Sequence, residues 1–295
     1  MASVFLVGMA TLDVIMSTDK IPAAAEKYVA YDAQIVGGGC AANAAVAVSR
    51  LGGDATLATR LGSDAFADVI ASDLIAEGVC ADYIHKSTNG RSSFSSVSID
   101  AVGERQIVNF RGTGLSEITE WMEPIPVVNA ILVDTRWPDG ALTALAAARL
   151  QKIPGIVDAE APIDPRLLSQ ASHVAFSRTG LAALSDEPDP GVALAQIRHQ
   201  INAWACVTDG ENGVYFTQGN SIEHVPAFVV ETRDTLGAGD VWHAGFALRL
   251  AEGADEQTAI VFANAVAALK CTKIGGRTGC PDRLTTKNFL KQRLS

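Results

Sequence analysis

The chain has 295 residues, 48% apolar and 19% charged, and its 33 acidic against 23 basic side chains give a net charge of −10. That apolar content excludes a disordered chain, and an acidic protein without a Lys/Arg run repels nucleic acid and anionic membranes. At roughly 150 residues per domain, the length allows one large domain or two small ones.

The opening MASVFLVGMATLDVIM has no basic leader and is interrupted by Asp13, and no apolar stretch is long enough to span a bilayer, so a cytoplasmic protein is expected. Ser3–Gly8 reads as a strand, Ala41–Leu51 as a small-residue helix and Ala55–Leu61 as a strand. Asp64–Glu77 is predicted as an amphipathic helix, with Phe66, Val69, Ile70 and Leu74 on one face and Ser63 at its N-cap. Ala130–Val133 and Gly155–Asp158 read as buried strands around the Ala-rich helix Gly140–Leu150. His173–Ser177 and Ala203–Thr208 continue the strands, separated by the helical stretch Val192–Ala203. Helices near Ala238–Ala251 and Glu256–Cys271 close the series. This alternation predicts an α/β fold, a mostly parallel central sheet flanked by helices on both faces.

Two regions depart from the pattern. Ile15–Ile35 and Ser92–Arg111 alternate like half-exposed antiparallel strands, with a turn at Asp100–Glu104 that contains Gly103. They predict a small β-sheet lid, formed by segments of about 14–36 and 92–112, on a single domain of residues 1–295. The five cysteines, Cys40, Cys80, Cys206, Cys271 and Cys280, form no C-x-x-C pair and read as buried free thiols of a reducing compartment.

The sharpest chemical signal is Asp234-Thr-Leu-Gly-Ala-Gly-Asp240, followed by the helical pattern VWHAGFALRL. Small residues where a loop becomes a helix let several backbone N–H groups converge on one anion, aided by the helix dipole. Asp240 falls in the first helical turn. A carboxylate beside a phosphate is unfavourable unless it works, and its natural work is accepting the proton of a hydroxyl that attacks phosphorus. The plainer alternative is an acidic residue that completes a helix cap. His243 stands one turn further along the same face and stays outside the predicted site. His85, His173, His199 and His224 show no metal-ligand spacing.

That heptapeptide, together with V-G-G-G-C-A-A-N-A-A-V-A-V-S-R-L-G at Val36–Gly52, resembles the PfkB family of ribokinase-like carbohydrate kinases. The resemblance runs over essentially the whole chain, including Gly8–Asp13, Arg60–Phe66 and Val207–Gly213. It implies a ribokinase-like core with a β lid, ATP and Mg²⁺ as cofactors, a sugar substrate and a homodimer joined through the lid. By the same resemblance Asp240 is the catalytic base, and the amides of Gly237, Ala238 and Gly239 form the anion hole. Asp13, Gly38, Gly39 and Asn43 match positions that hold sugar hydroxyls. Thr208, Gly210 and Gly213 match the loop against the nucleotide, and Asn264 its adenine side. Residue chemistry agrees, since Asp and Asn bond hydroxyls and glycines admit a ligand close to the backbone. Potassium activation, which occurs in relatives through carbonyls near Asp234 and the Gly275-Gly-Arg loop, is left open.

One departure concerns the metal. Where family members commonly carry N-x-x-E, this chain has Ser177-Arg-Thr-Gly180, so no metal-binding residue is assigned. On the substrate, E-K-Y-V-A, D-T-R-W-P-D-G-A and A-L-K-C-T-K-I-G-G-R resemble sulfofructose kinases. That likeness implies transfer to the C1 hydroxyl of 6-deoxy-6-sulfofructose, with Lys27, Asn109 and Arg136 reading the sulfonate and Arg111 beside them. Ribose, fructose, 2-keto-3-deoxygluconate or a nucleoside are the alternative acceptors, and a non-catalytic sensor on the same fold is the alternative to an enzyme. Gly37–Ala42 also satisfies the dinucleotide pattern G-x-G-x-x-A, but no acidic residue ends a second strand about 20 positions on. G-x-x-x-x-G-K-[ST] is absent.

Overall fold

The computed structural model describes residues 1–294. In chain order its elements are β1 (Ser3–Val7), β2 (Thr11–Ser17), β3 (Asp32–Gly38), α1 (Cys40–Arg50), β4 (Asp54–Gly62), α2 (Ala65–Ala76) and β5 (Ile84–Ser87). Next come β6 (Phe94–Ile99), β7 (Arg105–Phe110), β8 (Ala130–Val133), α3 (Pro138–Gln151), β9 (Gly155–Ala159), α4 (Pro165–Gln170), β10 (His173–Phe176) and α5 (Arg178–Ala182). The last are α6 (Pro190–Ile197), β11 (Trp204–Thr208), β12 (Val214–Gln218), β13 (Ser221–Val225), α7 (Ala238–Ala251), α8 (Glu256–Cys271) and α9 (Arg283–Leu294).

Nine strands form the main sheet in the order β13-β12-β11-β10-β9-β8-β1-β4-β5. From β11 to β5 every pairing is parallel, and only the β11–β12 and β12–β13 pairings are antiparallel. Both faces of β1 are covered: Val4 and Leu6 belong to the core cluster built with α1 and α7, while Phe5 and Val7 belong to the one built with α3. A strand buried on both sides reads as a continuous apolar run, which is why SVFLV shows no alternation. Alanines fill α1, so it lies close against α7 with Ala44, Ala45 and Val48 buried. After β1 the chain builds outward through β4 and β5, and later strands add on the other side from β8. The order reverses between β1 and β8, and the carboxyl ends of parallel strands at such a reversal frame a ligand crevice.

A second sheet, β3-β2-β6-β7, stands apart. Its outer pairs are antiparallel as expected, but its central pair β2–β6 is parallel, with Asp13 opposite Ser95. The two segments arrive from separate excursions of the chain, so no hairpin dictates their relative direction. Three smaller expectations are also corrected. Asp64, not Ser63, caps α2, with its carboxylate accepting from Ala67 N at 3.0 Å, a shorter reach along the turn. Val69 is 44% exposed, since Ala67, Ile70 and Leu74 already fill that face. Cys80 is exposed, and Cys40 and Cys271 are half-buried, leaving Cys206 and Cys280 as the buried thiols. Among the described residues, no helix is long and apolar enough to cross a membrane.

Candidate active site

The loop before α7 starts from a glycine that its geometry requires. Gly237, the N-cap, has φ 73°, a left-handed conformation that a side chain resists. Beyond it, Gly239 faces open space, and a Cβ there would meet nothing within 4 Å. The N–H groups of Gly237 and Gly239 have no protein acceptor among the described residues, whereas the Ala238 N–H closes onto Thr235 O at 3.1 Å. The sequence pointed to three amides facing an anion; the turn that builds the loop takes one of them.

Asp240 lies in the first turn of α7 and accepts a 2.7 Å hydrogen bond from Asn43 Nδ2 of α1. Burial pushes its carboxyl up to about 7, with the Asp158 and Asp134 charges adding to the rise and the Asn43 bond and His243 opposing it. A group so placed is poised to exchange a proton near neutral pH. The other side of the same amide, Asn43 Oδ1, is buried without a partner, the condition of an atom that awaits a donor. His243 makes no hydrogen bond to Asp240 among the described residues. Its Nδ1 meets Gly239 O at 2.8 Å, and its Nε2 lies 3.5 Å from Asp158 Oδ1.

Asp134 and Asp158, which the sequence reading left out, close β8 and β9. Asp134 accepts from Met9 N at 2.8 Å, Ala41 N at 3.2 Å and Arg136 N at 2.8 Å. It thereby caps α1, whose own N-cap Gly39 has no side chain to do so. Burial raises the Asp134 carboxyl to about 6. Gly8 must be glycine because a Cβ there would sit 2.2 Å from this carboxylate. Asp158, Asp240 and Cys40 bring one ligand atom each within 4.8 Å of one another. Two carboxylates suit a hard divalent cation such as Mg²⁺, but the Cys40 thiol does not. Burial, with three carboxylates nearby, holds Cys40 protonated. No glutamate fits where N-x-x-E would place one: a Cβ on Gly180 would lie 1.8 Å from Ala159 O.

Around the lid, Asp13 on β2 has its carboxyl raised by burial, against a bond from Ser95 and the charge of Arg277. Gly38 lies against it, where a Cβ would come within 2.4 Å of Asp13 Oδ2, and a Cβ on Gly39 would strike Met9 O. Next to these backbones opens a pocket of about 220 Å³, whose lining includes Arg60, Arg111 and Arg136. Arg60 stacks 4.7 Å over the Trp137 ring and pairs with Glu117 at 2.7 Å, and Arg136 donates to Ala161 O at 2.9 Å. Thr59 Oγ1 and Trp137 Nε1, both in the lining, are buried without partners. Lys27 and Asn109 do not line this pocket: Lys27 is exposed on the lid, and Asn109 bonds Ser95 Oγ at 3.0 Å.

On the far side, Thr208 ends β11 with its hydroxyl on Phe176 O at 3.3 Å. Gly210, at φ 54°, borders open space. Gly213 is glycine for packing, since a Cβ there would sit 2.2 Å from Val225 O. Asn264 is also committed inside the protein. It accepts from Trp242 Nε1 at 2.7 Å and donates to Pro226 O at 3.1 Å, so its amide ties α8 to α7 and to the loop after β13. Arg60, Asp134 and Asp158 had a legible signal: each ends or follows a predicted strand, where parallel sheets place ligands.

The model of the pfkB family carbohydrate kinases matches residues 1–283. The ribokinase of Bacillus subtilis is 29% identical over 98% of this chain and 100% of its own. The fructokinase of Vibrio alginolyticus is 28% identical over 86% and 92%. Among solved structures, ribokinase of Arabidopsis thaliana complexed with ribose and ATP superposes with a TM-score of 0.88 at 25% identity, covering 99% of each chain. A protein of Agrobacterium tumefaciens with a provisional ribokinase assignment reaches 0.91 at 32% identity, covering 99% of this chain and 98% of that one. The α/β core with its separate small sheet is thus a ribokinase-like fold.

Proposed function

The chain belongs to the pfkB family of carbohydrate kinases, and from that premise we propose that its acceptor is an anionic ketose, best matched by 6-deoxy-6-sulfofructose at C1. The enzyme is an ATP-dependent carbohydrate kinase. What carries the finer reading is the presence of Arg60, Arg111 and Arg136 together in the lining of one pocket in a chain of net charge −10. Guanidinium groups bond two oxygens of a sulfonate, carboxylate or phosphate at once. The unpartnered Thr59 Oγ1 and Trp137 Nε1 support the reading as further donors.

In this mechanism the sugar lies against Asp13, Gly38, Gly39 and Asn43, its anionic end toward the arginines. Lys27 and Asn109 reach that end when the lid closes, which also excludes water as a competing acceptor. Asp240 takes the primary hydroxyl's proton late, as the P–O bond forms, because a carboxylate is too weak a base to ionise an alcohol outright. The amides of Gly237 and Gly239, with the α7 dipole, receive charge on the transferring phosphoryl. The nucleotide runs along Thr208 and Gly210, with Gly213 and Asn264 shaping its groove from behind. Asp158, with Asp240 and the phosphates, would hold Mg²⁺, which when bound neutralises charge on the phosphoryl group. Exposed Met16, Ile35, Ile107 and Val108 on the small sheet, with Tyr31 just before β3, support a homodimer through the lid. Light scattering at twice the chain mass is expected, and a monomer would reject that arrangement.

The test is ADP release from Mg-ATP with sulfofructose, fructose, ribose, 2-keto-3-deoxygluconate, sugar phosphates and a nucleoside. Sulfofructose as the best acceptor supports the proposal. A preference for ribose or fructose would replace it with the specificity named for the relatives. Nucleotide and sugar binding without turnover would favour a sensor.

A further inference from the structure

Lys270 is a fully buried lysine, at 0% exposure, in the last turn of α8. Nothing in the chemistry above uses it. Its Nζ donates to Asp234 O at 2.7 Å and lies 3.7 Å from Asp234 Oδ2. Asp234 is itself a junction. Its carboxylate accepts from Leu236 N at 2.8 Å, on the loop that leads to Gly237, and from Gly275 N at 2.8 Å, on the loop after α8. Arg105, from the lid strand β7, adds a third bond at 2.8 Å. The two loops abut at the anion hole, where a Cβ on Gly237 would lie 3.7 Å from Gly276 C and 3.8 Å from Arg277 N. An ammonium buried among a carbonyl and a carboxylate is costly unless that oxygen cluster needs a cation.

We propose that Lys270 is a built-in monovalent cation: its ammonium joins the Asp234–Gly239 and Gly275–Gly276 loops and positions the anion hole, so that the enzyme needs no potassium ion. Lys270 is a positioning residue, acting through Asp234 and the backbone of Leu236 and Gly237. The inference rests on the kinase reading for its catalytic consequence, and its structural part stands without it. Removing the ammonium while leaving the Asp234 oxygens around it leaves a site that a small free cation fills.

The experiment measures the thermal midpoint, and the turnover with the best acceptor, of the wild-type enzyme and Lys270→Met in tetramethylammonium, sodium, potassium and ammonium chlorides at equal ionic strength. Wild-type values are expected to agree among the four salts. Lys270→Met should lose at least tenfold in turnover in tetramethylammonium chloride and regain most of it, with its midpoint, as potassium or ammonium is titrated in. Where Lys270→Met does not fold, Lys270→Gln takes its place. Severalfold activation of the wild-type enzyme by potassium would overturn the proposal, as would a variant indifferent to every cation. Absence of turnover on all sugars would count against the kinase reading alone, because the midpoint series still decides the role of Lys270.

Discussion

Asp234 and Asp240 stand at the two ends of one loop and have opposite fates. Asp234 accepts from two backbone N–H groups and from Arg105, with Lys270 beside it, and these hold its carboxyl down at about 2 although burial pushes the other way. Asp240 has one donor, Asn43, and faces the carboxylates Asp158 and Asp134, and burial carries it up to about 7. The same side chain is thus a structural anchor where donors saturate it and a candidate base where they do not. Stability resides at one end of the loop and the proposed chemistry at the other, a reactive group held on a well-satisfied frame.

The comparison breaks most visibly in turnover. Asp240→Asn is expected to lower kcat by about 10²-fold or more, the usual size of general-base assistance, and to leave sugar and Mg-ATP affinities within a fewfold in calorimetry. The counterpart at the anchoring end, Asp234→Asn, should act on folding first. It strips the countercharge from buried Lys270, and denaturant titration should record a loss of about 3–5 kcal/mol, the usual cost of an uncompensated buried charge. Asp234 stabilises the fold above pH ~4, where an unfolded carboxyl ionises. That contribution is lost as pH falls toward the folded value of about 2. At the rim, Arg136→Ala should raise KM for an anionic acceptor by about tenfold, the loss of one charge-assisted contact, with KM for ATP unchanged. The smallest effect sharpens the contrast. Because the raised carboxyl of Asp240 binds a proton in the folded state that the unfolded state releases, it costs stability as pH rises from ~4 to about 7. Asp240→Asn should therefore melt a few degrees above the wild-type enzyme at pH 8, and the gap should close below pH 4.

The sequence carried what is local. Helices α7 and α8 have the ends that their apolar pattern and flanking Gly237 and Asp255 dictate, and each strand between β8 and β11 lies within a residue or so of its apolar run. The hairpin β12–β13 and the polar helix α9 escaped notice, since β13 and α9 are largely exposed and carry little apolar periodicity. The parallel β2–β6 pairing is a non-local choice that no turn announces. The site was legible to the same degree. The glycine loop and Asp240 declare themselves within a few residues. Arg60 beside Arg136, Asp158 beside Asp240 and Lys270 beneath Asp234 are meetings of distant segments, visible only once the sheet has brought the strand ends together. Asn264 shows the complementary limit: a motif position does not reveal that its amide is already bonded within the protein.

The most direct measurement of the division between the two aspartates is the pH dependence of kcat/KM for the best acceptor, wild type against Asp240→Asn. The account predicts a wild-type rate that rises with pH through a single ionisation near 7 and a variant that is slow and flat across that range. A variant that retains the same inflection, or the wild-type rate, would show that the titrating base is another group and that Asp240 is no more than a buried partner of Asn43.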